Sequence, residues 1–214
     1  MATEPTAPLI GTSLRSLYLT TYNVLFASLW FSVLLNTISH AGYGRTELFK
    51  ATEAQARWIQ TASLIEVLHA ACGLIKSPVS TTALQTVTRV IQVWMVWFAF
   101  PVSTAGSRAY LALVLAWSVA DTIRYLYLAC NMHGLAPKML TWLRYTMFFP
   151  LYPVGIGAEW WLLYRAIRPG REVSWVIPPL FYFFLVLYIP GAYTMYTYMI
   201  KQRTKTLGGK QKVR

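Results

Sequence analysis

Six apolar stretches take up most of this chain, and each is close to the length of a bilayer crossing: 17–38, 62–82, 84–102, 110–131, 142–167 and 175–200. A hydrocarbon core asks for about 20 apolar residues per spanning helix. Inside it each backbone N–H and C=O must find its partner within the protein, which favours helices. Composition agrees. Of 214 residues, 56% are hydrophobic and 12% charged, whereas a soluble domain carries about 25% charged residues. The expected fold is an all-α integral membrane protein, a six-transmembrane-helix bundle around a central polar cavity. It reads as one membrane domain over residues 1–214, with a polar N-terminal stretch, 1–14, and a basic tail, 201–214.

The net charge of +12 does not point to nucleic acid, because basic residues punctuate the membrane ends instead of gathering on one soluble face. Six fall in the tail: Lys201, Arg203, Lys205, Lys210, Lys212 and Arg214. The positive-inside rule places that tail in the cytosol, and an even number of crossings places the N-terminus there too. Arg165, Arg168 and Arg171 in the last loop pull the other way. Met1 to Ser13 lack the basic start of a cleaved signal peptide, so the first crossing is expected to be an uncleaved anchor. Lys210 and Lys212 either form a dilysine-like retrieval address or belong to a generic basic tail drawn to anionic lipid. Cys72 and Cys130 lie in apolar segments and read as small core side chains, not as a disulfide framework or a metal set.

Three of the seven acidic residues sit where lipid should be: Glu66, Asp121 and Glu159. A carboxylate at that depth is costly and by default faces a bundle interior. Polar residues recur beside them at helical spacing. The second stretch carries Glu66, His69, Gly73, Lys76 and Ser77. The third carries Gln85, Arg89 and Gln92, and the fourth Trp117, Asp121, Arg124 and Tyr125. The fifth carries Tyr145, Tyr152 and Glu159, with Arg144 beside the first. Turned inwards, these stripes would line one cavity. Local neutralisation competes with that reading for Asp121 with Arg124 and for Glu66 with His69. Lys76 and Arg89 could instead snorkel to a membrane face.

Glu159 stands apart, because no basic residue lies within one turn of it and its neighbours are Trp160 and Trp161. Tyr152 precedes it by seven residues and returns to nearly the same helical face. A phenol and a carboxylate there form an acid/base pair, or else a hydrogen-bonded structural pair. A straight helix would set their α-carbons about 10.5 Å apart along its axis. Pro150, Pro153, Gly155 and Gly157 are expected to break the segment and help close that gap.

Four blocks, in order, resemble the very-long-chain (3R)-3-hydroxyacyl-CoA dehydratases, also called the protein tyrosine phosphatase-like family. They are Ile65-Glu66-Val67-Leu68-His69 with Gly73 and Ser77-Pro78-Val79, then Trp117-Ser118-Val119-Ala120-Asp121-Thr122-Ile123-Arg124-Tyr125, then Leu143-Arg144-Tyr145-Thr146, then Tyr152-Pro153 with Gly155 and Glu159. The segment from Tyr188-Ile189-Pro190-Gly191 onward extends the likeness. In the stretch His69-Ala70-Ala71-Cys72-Gly73-Leu74-Ile75-Lys76, alanine takes the place of the phosphatase-like cysteine and Lys76 that of the proline. Phosphatase chemistry is therefore not expected.

The resemblance implies dehydration of a 3-hydroxyacyl-CoA to a trans-2-enoyl-CoA, the third step of fatty-acid elongation in the endoplasmic reticulum membrane. It implies Tyr152 and Glu159 as catalytic residues, in either assignment of acid and base, with no cofactor and no metal. Arg144, Arg124, Arg89 and Lys76 are the expected contacts for CoA phosphate or thioester, with Tyr145, Asp121 and Gly155 beside them. Elongase, ketoacyl-CoA reductase and enoyl-CoA reductase are the implied partners. Two rival readings are a small transporter, from its buried acids and broken helix, and a non-catalytic membrane scaffold.

Overall fold

The computed structural model describes residues 14–208, and every regular element among them is helical. The helices are α1 (Leu14–His40), α2 (Arg45–Ala62), α3 (Ile65–Ala71), α4 (Val79–Ile91), α5 (Pro101–Ala105), α6 (Arg108–Asn131), α7 (Lys138–Thr146), α8 (Phe148–Val173) and α9 (Ile177–Gly208). A π-helical run, Gln92–Phe98, carries α4 onward. Among the described residues, α1, α6 and α9 are long and apolar enough to cross a membrane. Lys210 and Lys212 lie outside the described residues.

Local chemistry sets several boundaries. Ser107 caps α6 by accepting a hydrogen bond from the Ala109 N–H. Gly73 (φ +68°) and Gly134 (φ +68°) turn the chain out of α3 and α6. In each case the residue after the glycine bonds back five positions: Leu74 N–H to His69 O at 2.8 Å and Leu135 N–H to Cys130 O at 3.0 Å. Glycine takes this left-handed position without the cost a β-carbon brings.

The second expected segment, 62–82, is not one helix. The helix on that side begins earlier, at Arg45. It runs through Ser63 and Leu64, both in right-handed helical backbone, into α3, and ends at Ala71. Gly73 and Pro78 then interrupt the chain before α4. Glu66 and His69 share α3, but Lys76 and Ser77 lie in the break and do not continue their face. Cys72 caps the end of α3 and is exposed, and Cys130 is half-buried. Neither is the fully buried core thiol expected, because both lie close to turns that end helices.

The fifth segment is interrupted at Met147, ahead of the prolines. Pro150 falls in the first turn of α8, where its missing N–H has no helical partner to lose. Pro153 is inside α8, and Pro190 inside α9, without ending either helix.

Helix α6 is the centre of the bundle. α1 lays Phe26 against Tyr125 (ring centroids 5.2 Å) and Trp30 edge-on to Trp117 (6.5 Å). The π-helical run brings Trp97 to Trp117 at 5.3 Å and to Tyr110 at 5.0 Å. Trp30, Trp97, Tyr110 and Tyr125 are almost fully buried, so large aromatic groups make this core. At one end of the bundle Arg15 donates to Leu74 O (2.7 Å), and Thr20 pairs with His133 (2.8 Å). At the other, Arg45 donates to Gly106 O at 2.8 Å.

Candidate active site

Two polar groups lie inside the bundle. The first is a charge cluster. Arg124 on α6 donates to both oxygens of Glu66 on α3, at 3.0 and 2.9 Å, and through Nε to Asp121 Oδ1 at 3.2 Å. Asp121 Oδ2 accepts from Arg89 on α4 at 2.5 Å, and the Tyr125 hydroxyl donates to Glu66. Two anions and two cations thus alternate across three helices. Pairing of this kind is what allows buried charges to persist. Asp121 and Arg124 neutralise each other in part, as their spacing suggested. Glu66 does not pair with His69. The His69 ring takes Tyr18 as its partner (Nε2 to hydroxyl oxygen 2.7 Å). Arg89 turns inward and does not snorkel, whereas Lys76 is exposed.

The second group is built on Glu159 of α8, whose residue is 6% exposed. Trp117 Nε1 of α6 donates to Oε1 at 2.9 Å, and the Tyr188 hydroxyl of α9 donates to Oε2 at 3.1 Å. Among the described residues no cation lies within ion-pair distance of this carboxylate. The Arg89 guanidinium nonetheless approaches by way of Trp117. That guanidinium lies over the face of the Trp117 ring, 4.7 Å from the centroid. The local spacing, which showed no cation near Glu159, missed one that arrives from another helix.

Tyr152 shares α8 with Glu159, but the two make no direct hydrogen bond. The Tyr152 hydroxyl donates to Ala192 O of α9 at 3.4 Å, and its ring stacks on Tyr196 at 5.8 Å. Tyr188, which holds Glu159, precedes Ala192 by four residues on α9. Along the α9 axis the residues that hold the two groups are therefore about 6 Å apart, roughly one turn. Tyr145 does not join them, since it lies on α7 against Tyr127 of α6 at 5.7 Å. Gly155 lies where α8 nears α6; a β-carbon there would meet Ala116 Cβ at 3.9 Å.

Arg144 of α7 is half-buried and has no acidic partner among the described residues; its guanidinium lies 5.9 Å from the Tyr145 ring centroid. A cavity of about 510 Å3 opens at the Arg15 end, lined by residues that include Glu66, His69, Lys76 and Asn131. Neither Tyr152 nor Glu159 lines it. Of the polar stripes, this cavity takes in residues of the second, and not Glu159 or Tyr152 of the fifth. Tyr188 is the residue that spacing did not single out. Its signal was a phenol in an apolar run, immediately ahead of Ile189-Pro190-Gly191.

The family model described as protein tyrosine phosphatase-like protein, PTPLA, matches residues 60–209. A probable very-long-chain (3R)-3-hydroxyacyl-CoA dehydratase of Schizosaccharomyces pombe is 40% identical over 195 residues, covering 90% of this chain and 93% of the relative. A very-long-chain (3R)-3-hydroxyacyl-CoA dehydratase of Caenorhabditis elegans is 36% identical over 91% of this chain and 96% of its own length. The human very-long-chain (3R)-3-hydroxyacyl-CoA dehydratase 2 is 30% identical over 91% of this chain and 82% of its own length. No solved structure matches the chain.

Proposed function

The chain belongs to the protein tyrosine phosphatase-like (PTPLA) family, and from that premise we propose how its buried carboxylate works. The activity is that of the family's dehydratases: a very-long-chain (3R)-3-hydroxyacyl-CoA loses water to give a trans-2-enoyl-CoA. Glu159 is the base that takes the C2 proton, which the thioester carbonyl acidifies. Tyr152 is the acid that protonates the departing C3 hydroxyl. One observation carries this assignment. Of the four well-buried carboxylates among the described residues, Glu53, Glu66 and Asp121 are locked by arginine, while Glu159 is held by neutral donors. A carboxylate held in that way can gain and return a proton without breaking an ion pair. The C2–C3 bond would lie between Glu159 and the Tyr152 hydroxyl, which are held by neighbouring turns of α9.

The acyl chain lies within the apolar bundle, and the anionic CoA stays at the cytosolic mouth. Arg144 is the leading CoA contact, because among the described residues no acid lies within ion-pair distance of it. Six crossings fit α1, the interrupted α2–α3 helix, α4 with its π-helical extension, α6, the α7–α8 helix and α9, with both termini cytosolic. The protein resides in the endoplasmic reticulum membrane and meets elongase, ketoacyl-CoA reductase and enoyl-CoA reductase there.

The test is dehydration of a long-chain 3-hydroxyacyl-CoA by purified, detergent-solubilised protein, wild type beside Tyr152→Phe and Glu159→Gln. Enoyl-CoA formation by wild type and its loss in both variants, at equal thermal stability, is the expected result. Full turnover by Glu159→Gln would sink the mechanism.

A further inference from the structure

We infer that Trp117 and Tyr188 are positioning residues for the Glu159 base, and that Trp117 also keeps that base apart from Arg89. The inference rests on the reading of Glu159 as the base.

Three helices meet at this carboxylate. Trp117 on α6 takes Oε1 at 2.9 Å, and Tyr188 on α9 takes Oε2 at 3.1 Å. One donor on each oxygen fixes the plane of the carboxylate and leaves lone pairs on both oxygens for a proton. The surroundings are tight: Trp117 is 2% exposed and Glu159 6%. Water is therefore a poor substitute for the Trp117 donor.

Trp117 serves two opposite charges at once. Its ring face carries the Arg89 guanidinium at 4.7 Å, and its ring edge donates to Glu159. An indole suits this arrangement, because its π face attracts cations and its N–H attracts anions. Asp121, one turn further along α6, holds Arg89. Arg89 and Glu159 thus share the Trp117 indole and form no ion pair. Such a pair would leave the carboxylate a poorer base, since its proton would have to displace a guanidinium. Tyr188 completes the arrangement by holding the second oxygen from α9.

The experiment compares kcat and KM for Tyr188→Phe and Trp117→Phe in the full-length, detergent-purified protein. Tyr188→Phe keeps the ring and loses only the donor, whereas Trp117→Phe also loses indole volume, so its Tm is measured beside its kinetics. Each is expected to lower kcat about tenfold or more, the rate equivalent of one hydrogen bond to a charged group, with KM within about twofold. Repeating Tyr188→Phe in a Glu159→Asp background separates positioning from mere packing. The shortened carboxylate no longer reaches the phenol, so the second substitution is expected to cost nothing more. A packing role would add its full cost in both backgrounds, which would overturn the inference. An unchanged kcat in both single variants, beside an inactive Glu159→Gln, would overturn it too. Full activity in Glu159→Gln would instead overturn the underlying reading of the base.

Discussion

Arg124 meets Glu66 across the bundle as a two-pronged pair, Nη1 to Oε2 at 3.0 Å and Nη2 to Oε1 at 2.9 Å. The pair is half of a neutral group of four, closed by Asp121 and Arg89. Removing one member alone strands a buried charge. Glu66→Ala is expected to cost about 3 kcal/mol, near the lower end for a broken buried pair, because Arg124 keeps 28% of its side chain accessible. The double variant Glu66→Leu/Arg124→Met should recover most of that loss, since Asp121 and Arg89 still neutralise each other. Thermal unfolding in detergent reads both. A double variant no more stable than the single one would show that packing, not charge, sets the cost.

Two arginines that look alike in sequence should behave differently in kinetics. Arg144 has no acidic partner among the described residues, so its charge is available to an anionic ligand. Arg144→Met is expected to raise KM for the acyl-CoA roughly tenfold, the worth of one charge-assisted contact, with Tm and kcat little changed. Arg89 is engaged by Asp121 and by the Trp117 ring. Arg89→Met should therefore lower Tm and kcat while KM moves little. Steady-state kinetics on both variants decides it; the opposite pattern would exchange their roles.

Hydropathy made α1, α6 and α9 legible, and with them a helical membrane protein, because long apolar runs leave few alternatives. The helix from Arg45 was hidden by its charges. Its Glu53 and Arg57 neutralise each other at 2.6 Å, and Arg57 lies over the Trp94 and Phe98 rings at 4.5 Å. Charges that partner within the helix and its neighbours can be buried, but a sum over residue types counts them as polar. The run around Gly73 misled the other way: it is apolar, and its break is a backbone matter. Glu159 and Tyr152 stood out by composition and spacing on one helix. Trp117 stood out too, in the stripe of its own segment, but its pairing with Glu159 did not, nor did that of Tyr188, because spacing along one helix carries no information about contacts between helices.

The Gly73 turn gives a prediction about backbone alone. Its φ is +68°, and a β-carbon built there meets nothing within 4 Å. Gly73→Ala should therefore cost only the left-handed penalty, about 1 kcal/mol. Gly73→Asn should cost less, since asparagine tolerates that region better. Denaturation midpoints of the two variants test the order, and equal loss in both would point to an unseen contact.

Gly170 predicts the opposite kind of effect. It lies near the end of α8, where the chain turns into α9, and its backbone is ordinary helix. An added β-carbon would come 2.5 Å from Ile177 Cγ2 and 3.6 Å from Phe100 Cζ. The Ser174 N–H bonds back to Gly170 O at 3.0 Å, which ties the turn to this helix end and limits how far it can shift. Gly170→Ala is expected to cost about 1–3 kcal/mol as overpacking. Ile177→Ala removes the obstructing methyl, so Gly170→Ala/Ile177→Ala should be more stable than the sum of the two single losses implies. Thermal unfolding of the four proteins in that cycle measures the coupling. Simple additivity would mean that the α8–α9 turn yields, and that glycine is not required there to admit Ile177.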